Sequence, residues 1–259
     1  MRFAFTALAF GYAFLYLPIL LVAIYSFNES RMVTVWAGFS TKWWSALFAN
    51  EAMLQAAFLS LRIAIVSATA ATLLGLAAGY VLARVPRFFG RTLFGGLVIA
   101  PMVMPEVVMG ISMLLLFVGS EQLFGGPERG FLTIAIGHIT FSMAFVVIVV
   151  QARLADFDRS LEEAAMDLGA TPRTTFLTIT LPLIAPALIS GWLLAFTLSL
   201  DDLILTQFVA GAQSQTLSMR VYSSVRLGVD PQINVLATIV VCVAASALIL
   251  SGWLTRRRA

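Results

Sequence analysis

Cysteine, histidine and lysine are nearly missing from this chain, and charge of either sign is sparse. The single cysteine, Cys242, and the single histidine, His138, exclude a disulfide framework and a structural zinc site, each of which needs several such residues. The single lysine, Lys42, follows Thr41 rather than a glycine, so there is no Gly-x-x-x-x-Gly-Lys phosphate loop. If nucleotide energy is used, another chain binds the nucleotide. Charged residues are 11% of the 259, where soluble domains carry about one quarter. What replaces charge is hydrocarbon: 60% of the residues are hydrophobic and the mean hydropathy is +0.96. One globular core cannot hide that much apolar surface, so the solvent is lipid. The net charge of +3 and pI near 9.4 would suit nucleic acid. The basic residues, however, sit at the ends of apolar runs, as membrane topology requires, and nucleic-acid binding is excluded.

A helix needs about 20 mostly apolar residues to cross roughly 30 Å of hydrocarbon. Six stretches qualify, 6–27, 58–83, 93–118, 131–151, 183–204 and 235–254, which predicts an all-α, six-span membrane protein. The first holds Ala7-Leu8-Ala9, similar to a signal-peptidase site, but continues unbroken to Phe27. That is too long for the apolar core of a cleaved signal, so an uncleaved first helix is expected. Arginine and lysine in the connections set the orientation. With the N-terminus inside, the cytoplasmic set is Arg2, Arg84, Arg87, Arg91, Arg153, Arg159, Arg173, Arg256, Arg257 and Arg258. The external set is Arg31, Lys42, Arg129, Arg220 and Arg226, with Arg62 near the outer end of the second span. Ten against five or six predicts both termini in the cytoplasm. In the external segment 28–57, Trp36, Trp43, Trp44 and Phe48 suit the headgroup region, where indole rings are half wet. Segment 211–234 is expected to cap the outer face, with Asp230 and Pro231 opening the last helix as N-cap and first-turn proline.

The connection between the fourth and fifth spans has a shape of its own. Ser160 and Glu163 form a Ser-x-x-Glu capping box. Leu161, Ala164, Ala165 and Leu168 fall on one small apolar face, while Glu162, Met166 and Asp167 lie on others. Gly169 is placed to end that helix in a left-handed cap. Thr171 and Pro172 supply the N-cap and first turn of a second short helix, and Pro182 punctuates the approach to the fifth span. The prediction is a compact helix–turn–helix knob whose small-residue surface another protein can grip closely.

These residues carry a resemblance. Glu163-Ala164-Ala165, then Gly169, then Ile179, Leu181 and Pro182 resemble the EAA signature of permease subunits in binding-protein-dependent ABC importers, over twenty positions. The likeness to the type I importer core covers roughly 57–252. Tyr25-Ser26-Phe27-Asn28, the stretches 160–169 and 190–202, and Ser223 to Gly228 further resemble the putrescine/spermidine permeases, in particular their shorter six-span subunit. Permeases for other organic cations and for iron share much of this pattern. The resemblance implies that the knob near 160–181 is a coupling helix docking on an ATP-hydrolysing subunit, through Glu162, Glu163, Ala164, Ala165, Asp167, Gly169, Pro172, Leu181 and Pro182. It also implies a second permease subunit, a homologous chain that differs from this one, an external substrate-binding protein, and a place in the bacterial inner membrane. ATP and Mg would belong to the partner ATPase, and this chain would carry no cofactor, no metal and no catalytic residue. The implied domains are 1–56 (first helix and external segment), 57–252 (permease core) and 253–259 (basic tail).

A carboxylate near the bilayer centre costs about 2.5–3.5 kcal/mol on insertion scales, so each asks for a reason. Glu106 follows Pro101 and Pro105 inside the third span, where the prolines are expected to kink the helix. Its readings are a counter-charge for a cationic cargo, or a partner for Arg62 or another subunit. Asp201 and Asp202 end the fifth span; adjacent helical residues point about 100° apart, so one is expected to face a substrate pathway and the other to be held by a partner. Trp192 and Phe196 are four apart and offer either cation–π faces or packing. His138 lines a path or hydrogen-bonds a neighbouring helix. Glu106, Asp201, Asp202, Trp192 and Phe196 are thus the candidate pathway residues. An anionic cargo would call for arginine there. An intramembrane enzyme would need a nucleophile–base pair or metal ligands at depth, and a passive channel has no use for a capped knob. The expected function is alternating-access transport of a small organic cation, with iron or another solute as the second reading.

Overall fold

The computed structural model describes residues 2–32, 35–228 and 230–256, and side chains in that range except 2–4, 244 and 247–256. The expected basic tail 253–259, with Arg256, Arg257 and Arg258, lies outside the described side chains, as does that of Arg2. The described residues form helices and no strand; one isolated bridge pairs Asn28 with Phe39. They fall into two compact units, Met1–Gln55 with Arg220–Ala259, and Ala56–Met219.

In the first unit, α1 (Arg2–Tyr25) and α12 (Gln232–Arg256) pack together, and α12 also meets α2 (Lys42–Ala49). Buried Asn28 organises the loop between α1 and α2: its amide donates to Val35 O at 2.7 Å while its oxygen accepts from Ser30 and Ala37 N–H. Phe27 stacks on Phe39 and Trp44 at 5.4 and 5.2 Å, leaving Trp36 and Phe48 exposed. Asp230 Oδ1 accepts the Gln232 N–H at 2.9 Å and so caps α12.

The second unit is built on α6 (Phe131–Ala155), which is apolar all round, as a helix enclosed by others must be. α3 (Glu51–Arg84) lies against it so closely that a Cβ on Gly75 would meet Val146 at 2.7 Å. Ala68 and Ala71 of α3, Val146 and Val150 of α6, and Ile184 and Ala195 of α9 (Leu181–Asp201) form the main core.

Two expected spans are not single helices. The run 93–118, predicted as one kinked span, breaks into α4 (Arg91–Val103) and α5 (Glu106–Phe124). Met104 is extended (φ −73°, ψ 140°), because the ring of Pro105 forces the preceding residue out of the helical region. Glu106 therefore opens α5 instead of sitting mid-helix. The run 183–204 also breaks: α9 ends at Asp201, Asp202 is extended (ψ 124°), and the short α10 (Ile204–Val209) follows. Among the described residues, five helices are long and apolar enough to cross a membrane, within residues 5–25, 51–84, 106–124, 131–155 and 172–201. α12, the expected sixth, is apolar over its described part, Gln232–Val243. In segment 211–234 lies α11 (Leu217–Leu227). Its start is tied down by Leu217 N–H to Ser60 Oγ (2.8 Å) and Ser218 Oγ to Leu200 O (2.9 Å).

Candidate functional site

The knob forms between α6 and α9, by a different cap from the one expected. Arg159 is already helical (φ −65°, ψ −21°), so Ser160 is the first residue of α7 (Ser160–Asp167) and the Ser160–Glu163 box does not form. Asp158 takes its place, accepting the Ser160 N–H at 2.9 Å. Hydrogen bonds from the Ser160 backbone and then its side chain hold the exposed Asp158 carboxyl below the ordinary aspartate range. At the other end Gly169 has φ +89°. Its N–H donates to Met166 O at 2.9 Å and that of Ala170 to Ala165 O at 3.0 Å, the paired bonds of a Schellman cap. Thr171 Oγ1 accepts the Thr174 N–H at 3.3 Å, and Pro172 opens α8 (Pro172–Thr175).

Pro182 does not separate the knob from the fifth span, contrary to expectation. α8 passes through a π turn, Phe176–Thr180, straight into α9, giving one helical run of 30 residues from Pro172 to Asp201. Leu181 N–H donates to Phe176 O, five residues back. That wide turn lies just ahead of Pro182, which brings no N–H and whose ring would crowd a normal preceding turn.

The two adjacent glutamates of the knob have different surroundings. Glu163 is exposed, as are Ala164, Asp167 and Gly169, with Leu168 90% exposed beside them. Glu162 turns inward. Its Oε2 lies 3.1 Å from Arg84 Nη2, with side-chain exposures of 12% and 9%, and its Oε1 accepts the buried Thr180 hydroxyl at 2.6 Å. The Arg84 guanidinium also covers the Phe157 ring at 5.2 Å. Arg159 and Arg91 donate to Ala83 O and Leu82 O, placing cations on the last carbonyls of α3 where the helix dipole favours them. Glu162 thus fastens the knob both to the end of α3 and to the π turn. Leu181 is half-buried and Pro182 exposed on that same run.

At the far end of the 30-residue run, the two helix breaks lie together. A cavity of about 470 Å³ is lined by Glu106, Phe141, Thr197, Leu198, Asp201, Asp202, Leu203 and Ile204. Three acidic residues line it and, among the described residues, no basic one does. Among the described residues Glu106 and Asp201 have no ion-pair or hydrogen-bond partner. Arg62, considered as a partner for Glu106, instead lies over Phe58 and Phe131 at 5.7 and 5.4 Å. Asp202 is held by the protein: Oδ1 accepts the Leu205 N–H at 3.3 Å, and Oδ2 accepts the Thr206 N–H at 2.8 Å and the Thr206 hydroxyl, with His138 Nε2 at 3.1 Å. It caps α10, which is why the helix stops and restarts inside an apolar run. Trp192 and Phe196 are not part of the cavity lining. They stack on each other at 5.2 Å, and the indole N–H donates to Thr69 Oγ1 at 3.1 Å.

Sequence reasoning did not single out Ser199, Thr206 or Phe141. The one local signal was the four-residue spacing of Asp202 and Thr206, a side-chain cap hidden in apolar sequence. His138, weighed as a path residue or a helix-to-helix hydrogen bond, is buried and bonds to α9 and α10.

Comparison with known proteins agrees with this architecture. Residues 71–258 match the family described as binding-protein-dependent transport system inner membrane component. The putrescine transport system permease protein PotI of Escherichia coli (strain K12) is 55% identical over 234 residues, 90% of this chain and 83% of that protein. The spermidine/putrescine transport system permease protein PotC of the same organism is 43% identical over 95% of this chain and 90% of that protein. Among solved structures, a chain of a bacterial ABC transporter that imports the acidic polysaccharide alginate superposes with a TM-score of 0.72 at 16% identity. The match covers 98% of this chain and 95% of the other. At that identity the likeness concerns fold.

Proposed function

The chain belongs to the family of binding-protein-dependent transport system inner membrane components, and from that premise we propose that its cargo is a small organic cation of the putrescine/spermidine class. It is a multi-pass permease subunit of an ABC importer, a transport component and not an enzyme. ATPase and binding-protein partners follow from that membership. The finer reading is an inner-membrane protein with both termini in the cytoplasm. It pairs with a second, different permease chain, receives cargo from a binding protein on the outside, and leaves ATP and Mg to the ATPase.

The observation that carries the cargo assignment is the cavity at the two helix breaks, where Glu106 and Asp201 have no protein partner among the described residues. Asp201 is exposed and Glu106 half-buried, so each carboxylate is open to pair with a cation that enters the cavity. A diamine, charged at both ends at neutral pH, supplies two. The two relatives compared above are named for putrescine and spermidine transport, which supports the same class.

The coupling follows from the helix geometry. A run of 30 residues is about 45 Å long at 1.5 Å per residue, and it joins the knob to Asp201 as one rod. When the ATPase pair closes on ATP, the exposed face of Glu163, Ala164, Asp167 and Gly169, with half-buried Ala165 beside it, moves with it. Glu162, Pro172, Leu181 and Pro182 carry that motion into α9, the cavity exchanges its access, and hydrolysis resets it. The permease contributes a conformational equilibrium biased by its docked partner.

The test is uptake by proteoliposomes holding the whole complex, with putrescine- or spermidine-loaded binding protein outside. Glu106→Gln and Asp201→Asn should each raise KM about 10- to 100-fold, from the loss of one charge-assisted contact worth about 1.5–3 kcal/mol, with the complex still assembled. Unchanged KM in both variants would remove the cavity from the pathway. Transport of a different cation alone would keep the importer and discard the polyamine cargo.

A further inference from the structure

We infer that Arg62 holds the phosphate of an anionic phospholipid, at the end of α3 opposite the knob. The inference needs only a chain that spans a membrane, and it is independent of the cargo. Its first observation is position. Arg62 and Arg84 bracket the uncharged stretch 63–83 of α3. At 1.5 Å per residue the two arginines are about 33 Å apart along the helix, close to the roughly 30 Å thickness of the hydrocarbon. α6 runs beside α3 in the same direction, Gly75 lying against Val146 and Gly79 against Val150. Its last turn carries Arg153, at the Arg84 end. With that end at one edge of the hydrocarbon, Arg62 lies at the other, where lipid phosphates are found.

The second observation is what surrounds the guanidinium. Arg84 pairs with Glu162. Arg62 is exposed, and among the described residues neither a carboxylate nor another hydrogen-bond acceptor meets it. Two rings do: Phe58, one turn earlier on α3, and Phe131, the first residue of α6, at 5.7 and 5.4 Å. Such cation–π contacts limit where the guanidinium can go but occupy none of its N–H donors. The side chain is thus held in place with its donors open, so a ligand loses less entropy in ordering it.

The third observation is the face beside it. Phe58, Leu61 and Ile65 are exposed and, three and four residues apart, form one apolar strip of α3. A protein covering this place would have to bring an acceptor to Arg62. A phospholipid brings a phosphate at that height and an acyl chain for the strip in one molecule. The planar fork of a guanidinium suits phosphate oxygens, and Leu61 and Ile65 take the chain. With no carboxylate touching Arg62, the ammonium of a zwitterionic headgroup has no partner beside the phosphate. A headgroup whose only charge is its phosphate, as in phosphatidylglycerol, therefore fits better.

The experiment puts the photoreactive residue benzoylphenylalanine in place of Leu61, with the complete complex in nanodiscs of phosphatidylglycerol and phosphatidylcholine in equal amounts. Mass spectrometry of the adducts identifies the lipid. Position 61 should capture phosphatidylglycerol about five-fold in excess of its share of the bilayer, the scale of one basic residue at an anionic lipid surface. The same probe in place of Leu73, exposed on α3 midway between the two arginines, should return the bilayer's own ratio. Arg62→Gln should abolish the excess at 61. Three results each overturn the inference: the bilayer's ratio at 61, an excess that survives Arg62→Gln, and capture of another subunit instead of lipid. If Arg62→Gln does not assemble, Phe58→Leu combined with Phe131→Leu, which releases the guanidinium from its rings, is read by the same ratio. A fall in the excess then supports the inference, and an unchanged excess overturns it. No cargo enters the readout, so failure of the polyamine reading is a separate result.

Discussion

Substitution of Gly169 isolates what the knob needs from its backbone. Its φ of +89° is left-handed, and nothing lies within 4 Å of where a Cβ would be. A side chain there meets no steric obstacle in this chain, so the cost is conformational alone. For an ordinary L-residue that cost is roughly 1–2 kcal/mol, a factor of about 5–30 between the formed and the opened cap. The two bonds that the cap makes, Gly169 N–H to Met166 and Ala170 N–H to Ala165, would be lost with it. Gly169→Val should therefore harm the knob most, Gly169→Ala nearly as much, and Gly169→Asn least, because asparagine tolerates this region. The assay is ATP hydrolysis by the reconstituted complex, stimulated by loaded binding protein, in preparations where the ATPase is shown to remain bound. Stimulation should fall in the order Asn, Ala, Val. Equal loss in all three would refute the conformational argument and mean that the partner ATPase cannot tolerate a side chain at 169.

The paired glutamates should separate by experiment. Glu162→Ala leaves Arg84 and Thr180 without their partner and should cost about 1–3 kcal/mol, read as a lower melting temperature in detergent. Glu163→Ala should melt normally yet lose stimulated ATPase, and equal behaviour of the two would deny Glu162 its inward role. Gly75→Val drives a side chain into Val146 of α6 and should destabilise by about 1–3 kcal/mol through overpacking. A melting temperature unchanged in that variant would show that α3 can draw back from α6.

Hydropathy made the membrane helices legible, yet it is blind to the backbone path within an apolar run. Residues 93–118 stay apolar on both sides of Met104, so the run looked like one span although Pro105 signals the break. At Asp202 neither proline nor glycine announces the interruption. It arises from a side-chain cap on Leu205 and Thr206, whose only local trace is a four-residue spacing, and its further partner His138 is 64 residues away in the chain, a distance no local pattern reports. Reasoning from the 100° offset of adjacent helical residues requires a helix through Asp202, and the helix has ended there. The knob was better written, because Gly169, Thr171 and Pro172 act within a few residues of themselves. Two details were misplaced: the Ser160 cap, which turned on whether Arg159 had already entered the helix, and Pro182, which the helical run passes through. Glu162 and Glu163 were alike on paper, since Arg84 and Thr180 are brought to only one of them by folding.

The π turn at Phe176–Thr180 makes the knob and the cavity a matter of phase. A π turn spends one residue more on a turn than an α-helix does. Deleting a single residue between 176 and 180 would therefore let the rod close into plain α-helix with its two ends still in phase. A deletion elsewhere in the run has no surplus to draw on and turns the ends relative to each other by about 100°, so the face carrying Glu163 and Ala164 would swing away from the direction in which the ATPase approaches. Length is thus a functional variable in this stretch as much as composition, and the π turn is where the rod can lose a residue and keep its two ends facing as they do.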